Sequence, residues 1–107
     1  MLAFSAKWVR AIQDGKKTVT FRKWPTPRVK LGGVYDAATI GYPPRSFAKV
    51  KVTGLRKIRL GDIDDTLARR DGAATAKEVQ GYWKKQGFDS DKELWLVEFE
   101  VQNRAEG

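Results

Sequence analysis

The 107-residue sequence contains no cysteine and no histidine. The missing cysteines exclude disulfide bonds, thiolate metal sites and a cysteine nucleophile. The missing histidines exclude Ser-His catalysis and imidazole metal ligands. Any catalysis must therefore depend on Lys, Arg, Asp, Glu, Ser, Thr or Tyr side chains, and we expect neither a metal nor a cofactor.

Long apolar runs are also missing from the sequence. No segment approaches the roughly 18 residues of a membrane-spanning helix, and the first residues show no cleavable signal pattern. We therefore expect a cytoplasmic protein that makes no contact with membranes. The length suits one domain, residues 1–107.

Acidic residues are scarce in the first part of the chain. Residues 1–60 carry 14 basic and 2 acidic side chains, whereas residues 61–107 carry 7 basic and 11 acidic ones, for a net charge of +8. This asymmetry indicates an anionic partner such as a nucleotide or a nucleic acid. Scattered, solvated lysines would give the same composition, so charge alone leaves both interpretations open.

Hydrophobic periodicity predicts elements in the order β-α-β-β-β-α-α-β. Ser5, Asp62 and Thr75 are the expected helix N-caps, and Gly54 is an expected bend within a long strand. This order lacks βαβ regularity and predicts a small α+β fold, a mixed β-barrel with flanking helices. The strands are expected at 1–4, 17–23, 34–40, 47–60 and 93–101, and the helices at 5–13, 62–70 and 76–86.

Four segments resemble the ASCH domain family, which is related to the PUA RNA-binding fold. The resemblance extends from about Phe4 to Val101 and implies a PUA-like β-barrel. At Gly33 the sequence has glycine where that family usually has aspartate. The matching segments are Gly15–Arg22 (GKKTVTFR), Ala48–Thr53 (AKVKVT), Ala68–Gly72 (ARRDG) and Trp95–Val101 (WLVEFEV).

Within this family, the chain is most similar to the small bacterial N4-acetylcytidine amidohydrolases of the YqfB type. The resemblance implies a catalytic Lys17 and Thr20, with Asp71 at the position where that group has glutamate. It implies a small-molecule nucleoside or nucleobase substrate, or RNA. Because members of the family do not share one activity, two alternatives follow: a non-catalytic RNA-binding module, and a metal-independent ribonuclease using Lys17 and Tyr42.

The residues themselves are compatible with amide hydrolysis. A lysine can act as a base only if burial or nearby cations lower its pKa from about 10.4. Lys17 could then activate the Thr20 hydroxyl, Asp71 could orient the amine, and Lys16 or Arg22 could stabilise the oxyanion. The alternative is a solvated lysine at a strand end, an ordinary β-forming threonine and an aspartate in a helix-ending turn.

The spacing of Lys17 and Thr20 sets a geometric condition. Residues three apart in a regular strand point to opposite faces. The two side chains can meet only if Lys17 lies on the turn after Gly15, or if the strand is bulged.

Several aromatic residues lie in Pro/Gly-rich loops beside basic residues, which suits stacking on a nucleobase. Packing against the neighbouring prolines is the alternative. Aromatic residues on periodic faces are expected in the core, namely Trp8, Phe21, Trp95 and Phe99. The expected substrate-binding residues are Lys16, Arg22, Trp24, Tyr42, Arg45 and Phe47.

Overall fold

Alternating apolar residues form five strands of one curled sheet, a half-barrel flanked by helices. The structure is a computed structural model that describes residues 1–104, so the last three residues of the predicted domain lie outside it. The strands are β1 (Leu2–Phe4), β2 (Val19–Arg22), β3 (Val34–Thr39), β4 (Ser46–Arg59) and β5 (Glu93–Arg104). Their order in the sheet is β1-β3-β4-β5-β2, with β1 parallel to β3 and the other pairs antiparallel.

Within residues 1–104, three α-helices and two short 3₁₀ turns connect the strands. The turns are Ala6–Trp8, before the first helix, and Leu60–Asp62, before the second. No helix within residues 1–104 is long and apolar enough to cross a membrane. The α-helices are α1 (Val9–Gln13), α2 (Asp65–Asp71) and α3 (Ala76–Lys85).

The predicted N-caps are only partly correct. Thr75 caps α3 as expected, because its hydroxyl accepts a bond of 3.3 Å from the Glu78 N–H. Ser5 makes no side-chain cap bond, since the chain there begins as a 3₁₀ turn. Asp64, and not Asp62, caps α2 by accepting from the Leu67 N–H at 2.8 Å.

Gly54 marks a β-bulge, as the sequence predicted. The register between β4 and β5 shifts between Val52 and Gly54. A Cβ atom at this position would collide with the Glu98 carboxylate on β5. The lack of a side chain at Gly54 therefore leaves room for Glu98, whose contact with α2 is described below.

Two apolar clusters stabilise the sheet. One joins α1 to β1, β3, β4 and β5, and includes Ile12, Val50 and Val52. The other joins α2 and α3 to β2, the C-terminal end of β4 and the N-terminal end of β5, and includes Val19 and Leu96. Since β2 is an edge strand packed against the second cluster, its opposite side is free to line a cleft.

Candidate active site

A cleft of about 770 Å³ opens beside β2. Thr20, Phe21 and Arg22 line it from β2, and Phe21 also packs with Val19 in the second apolar cluster. One wall comes from β1 and the turn after it, and the other from α2 and α3. The volume lies within the range of roughly 300–1,000 Å³ that is typical of small-molecule sites.

Lys17 lies on the turn between α1 and β2. Gly15 has φ of +75°, which lets the chain reverse at the helix end. The N–H groups of Lys16 and Lys17 both donate to the Ala11 carbonyl, at 2.8 and 3.0 Å. Lys17 therefore precedes the strand, the geometric condition is met, and Lys17 and Thr20 line the same cleft.

The Lys17 ammonium is almost fully buried, with 3% of the residue exposed. It donates to the Asp71 carboxylate at 2.5 Å, to the Asp71 carbonyl at 2.7 Å and to the Val19 carbonyl at 2.9 Å. The Trp8 ring centroid lies 5.0 Å away, within reach of a cation–π contact. Three acceptors match its three N–H donors, so Lys17 is not a solvated residue at a strand end.

Asp71 both ends a helix and contacts Lys17, so the two interpretations of this residue are compatible. It is the last residue of α2, and Gly72 follows with a φ of +98°. A Cβ atom at Gly72 would lie 2.5 Å from the Trp8 ring. The glycine thus allows Trp8 to pack over the helix end and cover the Lys17–Asp71 pair.

Burial disfavours both charges of this pair. It lowers the pKa of Lys17, and Asp71 only partly offsets this effect while Arg22 and Lys7 add to it. Burial likewise raises the pKa of Asp71, against the attraction of Lys17 and Arg22. The cost of moving a proton from the ammonium to the carboxylate is therefore smaller than in water.

Arg22 is anchored in the cleft by one of its guanidinium nitrogens. Its Nη2 donates to the Ala3 carbonyl at 2.7 Å, and the guanidinium lies 4.9 Å from the Phe4 ring centroid. Burial lowers the pKa of Arg22, but a guanidinium stays protonated in proteins. Arg22 is thus a fixed cation beside Lys17 and Thr20.

A second network holds the turn of Lys17 against the end of α2. Arg70 donates from Nε to the Thr18 hydroxyl at 3.1 Å and from Nη1 to Glu98 at 2.9 Å. The Thr18 N–H donates back to the Arg70 carbonyl at 2.8 Å. Because Thr18 and Arg70 adjoin Lys17 and Asp71, this network sets the distance between the members of the ion pair.

Five of the six expected substrate-binding residues divide into those that line the cleft and those that do not. Arg22 and Trp24 line the cleft. Lys16, Tyr42 and Arg45 are exposed, Tyr42 to 99%, and do not belong to the cleft lining of the described chain. Since Tyr42 lies outside the cleft, the structure does not bring it together with Lys17 as a ribonuclease pair would require.

The expectation that Phe47 contacts a ligand is corrected by the structure. Phe47 is 7% exposed and belongs to the first apolar cluster. Its ring packs edge-on against Phe4, with centroids 6.3 Å apart. The cause is strand alternation, because Phe47 lies in β4 with its side chain on the buried face of the strand.

Sequence reasoning missed several residues of the cleft wall. Trp8 was expected in the core, and it packs against the first cluster while also lining the cleft. Tyr82 and Trp83 of α3 both line the cleft and contact each other edge to face at 5.3 Å. Aromatic residues at helical spacing indicate burial, and only the packing of α3 beside β2 shows that they border a site.

No family model and no curated protein matches this sequence. Solved structures do match its fold. A protein from Enterococcus faecalis described by the family model DUF984 aligns with a TM-score of 0.74 and 16% identity, covering 92% of this chain and 68% of that one. An ASCH domain from Lactobacillus crispatus aligns with a TM-score of 0.65 and 14% identity, covering 87% and 69%.

A mutant of the ZmASCH protein from Zymomonas mobilis aligns similarly, with a TM-score of 0.62, 16% identity and coverage of 96% and 69%. The molecule is thus an α+β half-barrel with a lateral cleft. Its fold is the PUA-like fold of ASCH domains, which confirms the fold expected from the sequence resemblance.

Proposed function

We propose that the chain is an amidohydrolase that removes the N4-acyl group from an acylated cytosine nucleoside or base. The observation that carries this proposal is the buried Lys17–Asp71 pair in the same cleft as Thr20. A buried ion pair is a poor device for stability, because its desolvation offsets its attraction. Its position in an open cleft beside a hydroxyl group favours a catalytic use.

Lys17 must lose a proton before it can act as a base. In the resting site its three N–H donors are all engaged. Asp71 Oδ1 is the acceptor placed to take that proton, and the neutral Lys17 amine then accepts the proton of the Thr20 hydroxyl. The opposite pKa shifts of Lys17 and Asp71 lower the cost of this step.

The acyl group is then transferred to Thr20. Its Oγ1 forms a bond to the acyl carbon, and the resulting oxyanion faces the fixed guanidinium of Arg22. The bond from carbon to the exocyclic nitrogen breaks as that nitrogen takes the proton held by Lys17. Water next cleaves the Thr20 ester, which releases the carboxylic acid and restores the hydroxyl.

The cleft wall offers flat surfaces for the pyrimidine. Trp24, Tyr82 and Trp83 line it from two different elements. Aromatic side chains stack on nucleobases with about 1–3 kcal/mol per base. This feature and the sequence similarity to the amidohydrolase group support an acylated cytosine as the substrate.

The direct experiment is incubation of the purified protein with N4-acetylcytidine, following the absorbance change to cytidine. Thr20→Val removes the hydroxyl at nearly constant volume and should lower the rate by at least about 10²-fold. Thr53→Val, at an exposed position of β4, is the matched control and should keep the parent rate. A folded parent protein without turnover, or an active Thr20→Val variant, would contradict the proposal.

A further inference from the structure

Three basic side chains of the cleft are not used by the proposed reaction. Lys7, Lys23 and Arg28 are exposed and line the cleft. None of the ion pairs formed within residues 1–104 involves them. They add positive charge to a site that already holds Arg22, and a neutral nucleoside offers these cations no counter-charge.

We propose that the substrate carries a phosphate group, which Lys23 and Arg28 bind, so that the acylated compound is a cytidine 5′-monophosphate rather than the nucleoside. This inference rests on the proposed function. Cations bind phosphate oxygens through charge-assisted hydrogen bonds. Phosphate binding would also relieve the mutual repulsion of the cations along the cleft.

Lys23 directly follows β2, Arg28 lies in the loop after it, and both residues line the cleft. Lys23 is three residues beyond Thr20, just after the end of β2, and a chain of three residues spans at most about 10 Å. This length is on the scale of a mononucleotide from the exocyclic amine to the phosphate. Lys7 lies at the other end, because it contacts the Trp8 ring at 4.9 Å and contributes to the lowered pKa of Lys17.

The opposite wall favours a mononucleotide over a nucleic acid. That wall comes from α2 and α3, which belong to the acidic part of the sequence, and it includes the exposed carboxylate Glu78. A polyanion crossing the cleft would meet this carboxylate. One phosphate held at the Lys23 end would not.

Direct binding tests the phosphate site without relying on turnover. Isothermal titration calorimetry should show that cytidine 5′-monophosphate binds about tenfold more tightly than cytidine. This difference is at the low end of the free energy of a hydrogen bond to a charged group. The double variant Lys23→Gln/Arg28→Gln should abolish this preference. The matched control Lys84→Gln/Lys85→Gln neutralises two exposed lysines of α3 outside the cleft lining and should retain it.

Equal affinity for cytidine and its monophosphate in the parent protein would overturn the inference, as would an undiminished preference in the double variant. Tighter binding of a short oligocytidine than of the monophosphate would overturn the mononucleotide assignment.

Kinetics separates this inference from the proposed function. The ratio of kcat/KM for N4-acetylcytidine 5′-monophosphate to that for N4-acetylcytidine should be about ten, and it should fall toward one in the double variant. Hydrolysis of both compounds without this preference would overturn the phosphate site and leave the hydrolase intact. Preferred binding of the monophosphate, with neither compound hydrolysed, would support the phosphate site and contradict the hydrolase.

Discussion

Two Lys–Asp pairs within residues 1–104 have the same chemistry in opposite surroundings. Lys17 and Asp71 meet at 2.5 Å in the cleft, with side chains 3% and 20% exposed. Lys49 and Asp36 meet at 2.8 Å on the outer surface of β3 and β4, with side chains 52% and 45% exposed. The difference between the pairs is therefore mainly one of burial.

Burial reverses what pairing does to the carboxylate. The pKa of Asp36 is lowered, because Lys49 and Ser46 donate hydrogen bonds to it and the charge of Lys49 adds to this effect. The pKa of Asp71 is raised by burial, although its lysine partner is even closer. The surface pair is an ordinary solvated ion pair, whereas burial brings the pKa values of Lys17 and Asp71 closer together.

The largest expected contrast between the pairs concerns activity. Lys17→Arg should lower kcat on N4-acetylcytidine by about 10²–10⁴-fold, because a guanidinium cannot serve as a base near neutral pH. Lys49→Arg should leave kcat within about twofold, as expected for an exposed pair.

Circular dichroism melting shows whether the Lys17 variant is folded, and Lys17→Met provides a second, uncharged replacement. Full activity in either folded Lys17 variant would remove this residue from the mechanism.

Removal of the carboxylates should separate the two pairs by stability. Asp71→Asn leaves the Lys17 ammonium buried without its counter-charge, which should cost about 3 kcal/mol of unfolding free energy, together with about 10²-fold in kcat. Asp36→Asn should scarcely change the denaturation midpoint, since both partners remain solvated. Urea titration of the two variants measures this difference, and equal midpoints would show that burial of Asp71 has no energetic effect.

Arg70 provides a test of how the buried pair is positioned. Arg70→Gln removes the ionic contact to Glu98 and weakens the contact to Thr18, so kcat should fall about tenfold with little change in KM. Arg69→Gln, its exposed neighbour in α2, is the matched control. The pH–rate profile should also shift in the Arg70 variant, because the Lys17–Asp71 distance changes, and a loss of stability without this shift would indicate a purely structural role.

Lengthening the Asp71 side chain by one methylene should have a smaller effect on activity. Its carboxylate already contacts Lys17, so the shorter side chain is no handicap. Asp71→Glu should keep activity within about tenfold of the parent, because the charge remains and only one methylene must be accommodated. A gain in kcat of more than tenfold would show that the reach of the Asp71 side chain limits the proposed reaction.

The smallest expected effect concerns the pH dependence of the unfolding free energy, to which Asp36 and Asp71 should contribute with opposite signs. Asp36 has a lowered pKa, so it contributes stability above pH 3.8, the ordinary pKa of aspartate. This contribution is lost as the pH falls through the pKa of Asp36 in the folded state. Asp71, with its raised pKa, has the opposite sign: the folded state binds more protons between 3.8 and its raised value, so stability falls as the pH rises through that window. Denaturation of the Asp→Asn variants between pH 3 and 7 measures both slopes, and equal signs would contradict the assigned surroundings.

Local pattern was sufficient to predict much of the fold. The alternation in Gly15–Arg22 placed Val19 and Phe21 on one face and Thr20 on the other, and Val19 and Phe21 do pack in the second apolar cluster. The bulge at Gly54 was likewise visible as a lone glycine within an apolar strand. The N-cap of α2 was missed, since Asp62, Asp64 and Asp65 can all cap and the register is set by the burial of Ile63.

The site could be predicted only in part, because it combines residues far apart in the sequence. The family resemblance pointed to Lys17 and Asp71, but their contact spans 54 positions and depends on how α2 ends against the turn before β2. The role of Trp8 depends on the space left by Gly72. Phe47 was expected to bind a ligand because it borders a Pro-rich loop, but its side chain packs in the first apolar cluster.

The most direct test of the account is the titration of Lys17 itself. The Cε chemical shift of Lys17, assigned by comparison with Lys17→Arg and followed by NMR as the pH is raised, reports its protonation in the folded protein. The account predicts a midpoint below 10.5, the value of an ordinary lysine, because burial outweighs the attraction of Asp71. A midpoint at or above 10.5 would show that the ion pair holds its proton too firmly for Lys17 to act as a base, and would contradict the proposed mechanism.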